Sequence, residues 1–149
     1  MRKSLIILLA AISLLACKKN EEIKFDKTAS EGITGTYQGT WTRALNEDVV
    51  SGEGLISFTA TDDPYVCVVT VTCDDPAINR SGIANVVHSD YEYVFYNNSA
   101  KEEAGFGTQF SGRVYKDNTI DMQYSVEEQV GRFKNTYKFS FVGEKVLLQ

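Results

Sequence analysis

Few residues of the chain could carry out catalysis, and the first is its single histidine, His88. Ser89 and Asp90 follow it, so a nucleophile, a base and an orienting carboxylate stand together in the sequence. Three consecutive residues of an extended chain point in alternating directions, so these side chains cannot converge as a triad requires. We therefore expect His88 to be a turn or surface residue and the protein not to be an enzyme.

Two pairs of adjacent aspartates, Asp62-Asp63 and Asp74-Asp75, are the densest carboxylates of the sequence. If both pairs met at one end of the fold, their oxygens could hold a calcium ion. Their spacing is not that of an EF-hand, and each pair precedes a proline, which is typical of turns. The sequence also has no glycine-rich phosphate loop and no metal-spaced set of Cys or His, so we expect no cofactor and no metal site.

Cys67 and Cys73 lie in a segment dense in β-branched residues, 65–73, which predicts a strand. Six residues of straight strand would place their Cα atoms roughly 20 Å apart, whereas a disulfide needs about 7 Å or less. We expect both to be small apolar side chains on one strand face. A disulfide would require the strand to bend near Thr70.

The N-terminal segment has the layout of a secretory signal, with Arg2 and Lys3 before an apolar run, residues 5–16, that is too short to span a bilayer. The sequence Leu14-Leu15-Ala16-Cys17 resembles the lipobox of bacterial lipoproteins. The resemblance implies cleavage before Cys17 and attachment of lipid to its sulfur and its new amino group. An ordinary secretion signal is the alternative interpretation.

Cleavage before Cys17 would leave 133 of the 149 residues, enough for one domain, and would change the formal net charge from −5 to −7. A domain this acidic has no basic patch for phosphates, so nucleic acid is not an expected partner. The acidic surface would also repel anionic lipid headgroups. We therefore expect the protein to be attached to a membrane by lipid on Cys17 and not by its own surface. The expected location is the cell envelope, at the outer membrane.

Three segments follow from this pattern: a lipoprotein signal peptide at 1–16, a lipidated Cys17 with a charged flexible tether at 17–31, and a domain at 32–149. From Ile33 onward, apolar and polar residues alternate in about eight runs joined by short turns, and none shows a helical period. The runs cover residues 33–42, 55–61, 65–73, 83–87, 91–96, 106–114, 119–126 and 132–142. The sequence predicts an all-β, antiparallel up-and-down barrel, with a two-sheet β-sandwich as the alternative.

The chain is rich in aromatic residues, with 8 Tyr, 8 Phe and 1 Trp. A barrel of about eight strands is near the size at which side chains fill the inside or leave space for one small ligand. The residues predicted to line such a ligand site are Tyr37, Trp41, Phe58, Phe110, Met122, Tyr124, Tyr137 and Phe139. An ordinary packed core would use the same residues, so both interpretations remain open.

In the first predicted strand, Gly39-Thr40-Trp41 resembles the Gly-x-Trp motif of lipocalins. The resemblance implies that Trp41 closes one end of the barrel, against a cation of the last strand such as Arg132. With the lipobox, the chain is similar to the small lipocalin-like or calycin-like lipoproteins of Gram-negative envelopes. This predicts a non-enzymatic, membrane-anchored protein that binds a small apolar or amphipathic ligand. A filled barrel that contacts an envelope protein or a glycan is the alternative function.

Overall fold

The computed structural model describes residues 27–75, 77–97, 105–106 and 109–147, and most of these residues lie in β-strands. Eight antiparallel strands form a closed barrel, in which each strand pairs with the next and the last pairs with the first. The strands are β1 (Gly35–Leu45), β2 (Asp48–Ala60), β3 (Val66–Cys73), β4 (Arg80–His88), β5 (Glu92–Asn97), β6 (Ser111–Tyr115), β7 (Thr119–Val130) and β8 (Phe133–Lys145). The predicted barrel is therefore confirmed, and the two-sheet sandwich is not the fold.

The alternation of the sequence places one face of each strand inside the barrel. In β7, for example, Ile120, Met122 and Tyr124 are buried, and the residues between them are exposed or half-buried. This is the result expected from a side-chain period of two. The inward side chains of all eight strands meet in a single hydrophobic core.

A short helix, α1 (Ala29–Ile33), precedes the barrel, where the sequence had predicted the end of a tether and the start of a strand. Thr28 caps α1: its hydroxyl accepts from the Glu31 N–H, and the Glu31 carboxylate accepts from the Thr28 N–H. The Thr28 N–H and the Thr28 hydroxyl both donate to the Glu31 carboxylate, and these two hydrogen bonds hold the pKa of Glu31 below its usual value. The predicted tether, 17–31, therefore overlaps the folded domain at residues 29–31 of α1.

No helix in the described part of the chain is long and apolar enough to cross a membrane.

Helix α1 closes one end of the barrel, which we call the helix end. The Ser30 N–H donates to the Pro64 carbonyl, and the Tyr37 hydroxyl inside the barrel donates to the Ile33 carbonyl at 3.0 Å. Ile33, the last residue of α1, is fully buried. The turns between β2 and β3, β4 and β5, and β6 and β7 lie at this end, because the strands alternate in direction.

The opposite end, which we call the mouth, carries two hairpins that project beyond the barrel wall. Pairing between β1 and β8 stops at Lys138, whereas β7 and β8 continue to pair as far as Val130 and Phe133. Pairing between β2 and β3 likewise begins only at Gly54, so the first six residues of β2 pair with β1 alone. Strand β2 was predicted to begin at Leu55. It begins at Asp48 because Asn46, at a φ of 55°, permits a two-residue turn.

Candidate functional site

Aromatic rings fill the interior of the barrel from the helix end to the mouth. The ring centroids of neighbouring members lie between 4.3 and 5.6 Å apart, within the range of favourable aromatic contacts. The series runs through Tyr37, Phe58, Phe95, Phe110, Phe106, Tyr124 and Phe139. A ligand could therefore not enter the centre of the barrel without displacing these rings.

The eight residues predicted to line a ligand site divide into two groups. Seven of them are buried members of the packed core, and five of these seven lie away from a cleft at the mouth: Tyr37, Trp41, Phe58, Phe110 and Met122. The other three line the cleft: Tyr124 and Phe139, which also belong to the core, and Tyr137, which is half-buried. The structure thus brings only the second group to a surface that a small molecule could reach.

Trp41 lies part-way along β1 and does not close the base of the barrel. Its indole N–H donates to the Glu53 carbonyl at 3.1 Å, and its ring covers Gly52 and Gly54 of β2. Trp41 pairs with Phe141, so Arg132 in the β7–β8 turn is about nine residues, or roughly 30 Å, further along β8. The contact with Arg132 implied by the lipocalin resemblance is therefore not formed. Helix α1 and Tyr37 close the base instead.

The mouth cleft has a volume of about 240 Å³. Its floor is formed by the rings of Tyr124, Tyr137 and Phe139, and its rim carries charged side chains. The lining residues are Arg43, Ala77, Ile78, Arg80, Tyr124, Val126, Glu127, Glu128, Tyr137 and Phe139. An aromatic floor within a charged rim can hold the apolar part of a small molecule while its polar part remains at the rim.

The β3–β4 connection folds over the mouth and forms one side of the cleft. Ile78 in this connection is buried, and its carbonyl accepts a hydrogen bond from the Tyr124 hydroxyl at 2.9 Å. Burial raises the pKa of Tyr124, so this hydroxyl stays protonated and continues to donate. Asp75 of the same connection forms an ion pair with Arg43 at 2.8 Å. The connection is thus fixed to both β7 and β1.

Two arginines supply the positive charge of the cleft. The Arg43 guanidinium lies over the Tyr137 ring, with its Cζ 5.5 Å from the ring centroid, in addition to its ion pair with Asp75. Arg80 donates from Nη1 to the Gly105 carbonyl at 3.2 Å, but its buried Nε has no hydrogen-bond partner among the described residues. The two side chains differ in this respect, since Arg43 is held by two contacts and Arg80 retains an unsatisfied donor.

Two carboxylates complete the rim. Glu127 forms an ion pair with Lys134 of β8, and Glu128 is exposed on the same hairpin. Their arrangement is suited to hydrogen bonding at the edge of the cleft.

The residues first considered for catalysis and metal binding are separated by the fold. The turn with Asp62 and Asp63 is at the helix end and the connection with Asp74 and Asp75 is at the mouth, because β3 runs from one end to the other. Asp63 and Asp75 each accept a hydrogen bond from a backbone N–H two residues further on, as in ordinary turns. No cluster of three potential metal ligands occurs within the described residues.

His88 is exposed at the end of β4, with its ring 6.2 Å from that of Tyr93. Ser89 makes turn hydrogen bonds with Tyr91 and Glu92. These residues form the predicted β4–β5 turn.

Both cysteines of β3 are free thiols, and neither is part of the mouth cleft. Burial raises the pKa of Cys67 to about 12, and burial together with Asp74 and Asp75 raises the pKa of Cys73 to about 11. The thiols are therefore protonated at neutral pH, and a protonated thiol is a poor nucleophile. Cys17, the predicted lipidation site, lies outside the described residues.

Sequence reasoning did not identify Arg43, Ile78 or Arg80. The sequence did contain a signal for Arg43. It lies at an even spacing from Tyr37 and Trp41, so it shares their inward face of β1 and places a charge there. The positions of Ile78 and Arg80 depend on how the β3–β4 connection folds, which the alternation of apolar and polar residues does not predict.

Comparisons with protein-family models, with curated proteins and with solved structures find no match to this chain.

Proposed function

We propose that the protein is a non-enzymatic envelope lipoprotein, held to the membrane by lipid on Cys17, that binds a small amphipathic ligand in the mouth cleft. The observation that carries this proposal is the juxtaposition of three aromatic rings with two guanidinium groups in one concave surface. The rings of Tyr124, Tyr137 and Phe139 offer apolar contact area, and Arg43 and Arg80 offer donors for an anionic or hydrogen-bonding group.

The size of the cleft limits the ligand. Its volume of about 240 Å³ is just below the range of about 300–1,000 Å³ that holds drug-sized molecules. A molecule with one ring or a short apolar chain and a polar head fits this space. Because aromatic rings fill the interior of the barrel, the apolar part of such a ligand would lie against the floor of the cleft and not enter the barrel.

The proposal can be tested by isothermal titration calorimetry with the amphipathic anion octanoate, which has a short apolar chain and a polar head of the size that the cleft admits. Titration of the mature protein is expected to give saturable binding. Substitution Tyr137→Ala removes a floor ring and the partner of Arg43, so it should weaken binding about tenfold, or about 1.4 kcal/mol. The matched control Tyr96→Ala removes an exposed ring of β5 outside the cleft and should leave the affinity unchanged.

Two outcomes would contradict the proposed ligand site. One is saturable binding that is equally strong in the Tyr137→Ala protein, which would place the probe elsewhere. The other is the absence of any saturable binding by the unaltered protein. Native mass spectrometry of protein from its own cells would complement the titration, because a co-purified molecule would reveal the natural ligand by its mass.

A second candidate function is an interaction module for an envelope protein or a glycan. It is favoured by the apolar tips of the two projecting hairpins, where Phe133 is 78% exposed and Val50 and Val130 are about half exposed. These side chains share the strand faces that line the mouth. A photo-crosslinking residue at position 133 should capture the partner in intact cells if this function is correct, whereas the same residue at exposed Thr59 should not.

A further inference from the structure

The helix end carries exposed apolar side chains on several separate elements. We define the apolar rim as Tyr65, Val87, Tyr91, Val146 and Leu147. Three of its members are strongly exposed: Tyr91 at 75%, Leu147 at 69% and Tyr65 at 61%. Isolated exposed apolar residues are normal on a protein surface, but several of them at one end call for a common explanation.

The residues of the apolar rim belong to different elements of the helix end. Tyr65 belongs to the β2–β3 turn, Tyr91 belongs to the β4–β5 turn, and Leu147 follows β8. These elements occupy separate sectors of the barrel, since the strands follow one another around it in sequence order. The rim therefore occupies several sectors around the helix end, and α1, which packs against β2, β3 and β4, lies among them.

The chain that leads to Cys17 leaves the domain at this same end. Lys27 precedes the capped start of α1, and it lies near enough to Lys145 to help lower the pKa of that side chain, after the larger effect of burial. Nine residues separate Lys27 from Cys17 in the sequence, so even a fully extended connection reaches only about 30–35 Å. A lipid on Cys17 would keep the helix end close to the membrane.

The charges at the helix end indicate which lipids would suit it. Three lysines lie there: Lys27, Lys116 and Lys145. Carboxylates are more numerous there: Glu31, Asp62, Asp63, Asp90, Asp117 and Glu144. The excess of negative charge disfavours anionic headgroups but not neutral ones. Lys116 places its ammonium group 5.1 Å from the centre of the Tyr91 ring, and tyrosine rings and long cationic side chains are both accommodated at membrane interfaces.

We propose that the apolar rim rests on a lipid surface with zwitterionic headgroups, so that the helix end faces the membrane and the mouth faces away from it. The proposal rests on the lipidation of Cys17 proposed above. The acyl chains supply the affinity, and the rim supplies the orientation. The tyrosine side chains of the rim enter the interface, where an apolar ring and a polar hydroxyl are both accommodated.

The experiment uses the mature acylated protein in phosphatidylcholine vesicles whose acyl chains are brominated, because bromine quenches only tryptophan that reaches the membrane. A reporter is introduced at the rim by Tyr91→Trp and, as the matched control, at the mouth by Phe133→Trp. The signal of Trp41, which is buried, is measured in the unaltered protein and subtracted. Fluorescence of the rim reporter is expected to fall by about half, and that of the mouth reporter to stay constant.

The vesicles are first floated on a density gradient, so that anchoring is measured separately from orientation. Protein that floats with quenching at position 91 alone supports the proposal. Protein that floats with no quenching at position 91, or with equal quenching at position 133, overturns the orientation but leaves the anchor intact. Protein that does not float at all contradicts both the anchor and the orientation.

Two further measurements test the contacts themselves. Replacing Tyr65 and Leu147 with serine should remove most of the quenching at position 91, while replacing Val49 and Val50 with serine at the mouth should not. Adding anionic phosphatidylglycerol should reduce the quenching at position 91. An increase on adding this lipid would contradict the assignment of a zwitterionic surface.

Discussion

At the scale of single residues, two buried tyrosine hydroxyls fix the two ends of the barrel. Tyr37 donates to the Ile33 carbonyl beneath α1, and Tyr124 donates to the Ile78 carbonyl beside the cleft. Burial raises the pKa of both hydroxyls, so each stays protonated and donating across the physiological range. One bond attaches α1 to β1, and the other attaches the β3–β4 connection to β7.

We expect Tyr37→Phe and Tyr124→Phe each to lower the free energy of unfolding by about 1–2 kcal/mol, because each leaves a buried carbonyl without its donor. Urea denaturation of the mature protein measures this change. Tyr96→Phe, which removes an exposed hydroxyl, should leave the midpoint unchanged. A midpoint for Tyr37→Phe equal to that of the Tyr96→Phe control would show that the bond to Ile33 is not important for stability.

The thiols of β3 give a prediction about pH. The pKa of Cys73 is raised from 9.0 to about 11, so at pH 9 the native state should contain about fiftyfold less thiolate at this position than the unfolded chain. Alkylation by iodoacetamide at pH 9, followed by mass spectrometry, should be slow in buffer and fast in urea. Ionisation is easier in the unfolded chain, so native stability should also fall as the pH rises above 9.

Rapid alkylation of Cys73 in buffer would contradict the raised pKa. Cys67, whose pKa is raised to about 12, should react more slowly still, because its side chain is fully buried. The two residues therefore serve as controls for each other within a single strand.

At the scale of elements, the period of two predicted most strands because one face of each is packed inside the barrel. Helix α1 could not be predicted from periodicity, since five residues do not complete two helical turns. The local signal was the sequence Thr28-x-x-Glu31, which has the residue types of a capping box. The early start of β2 was missed because the hairpin with Val49 and Val50 is exposed on both faces and shows no apolar alternation.

The seam between β1 and β8 depends on two glycines that face each other, Gly39 and Gly143. A Cβ at position 39 would overlap the Val142 carbonyl oxygen, which is backbone and cannot move aside without shifting β8. We expect Gly39→Ala to lower the free energy of unfolding by about 2 kcal/mol, as measured by thermal or urea denaturation. The neighbouring Thr40→Ala, at an exposed position, should change it little. Equal stability of the two variants would show that the seam tolerates a wider spacing.

At the scale of the whole molecule, the barrel has two different ends. The helix end is closed by α1 and has short turns, whereas the mouth has projecting hairpins and the cleft. Sequence patterns predicted the closed barrel because turns between consecutive strands bring each strand beside the next. They could not predict the cleft, which arises where Ile78 and Arg43, distant in sequence, meet the long β7–β8 hairpin. Of the residues predicted to line a site, Tyr124, Tyr137 and Phe139 reach it, and the others fill the interior.

The proposed attachment to the membrane concerns the whole molecule, and its test is made at Cys17. Cells grown with a radioactive fatty acid should label the unaltered protein, and Cys17→Ala should abolish labelling because the acceptor sulfur is lost. The altered protein should also leave the membrane fraction. Cys73→Ala, which keeps Cys17, is the matched control and should be labelled normally. Label retained by Cys17→Ala would contradict the lipoprotein interpretation.

The pairing of β1 with β8 also has a consequence for biosynthesis. The barrel cannot close until β8 (Phe133–Lys145), the last strand, has been synthesised. Strand β1 pairs with β8, which is about one hundred residues further along the chain. A polypeptide that ends before Phe133 would expose two unsatisfied strand edges, and such edges recruit other chains into aggregates. Premature termination near the C-terminus should therefore be far more damaging than the small loss of length implies.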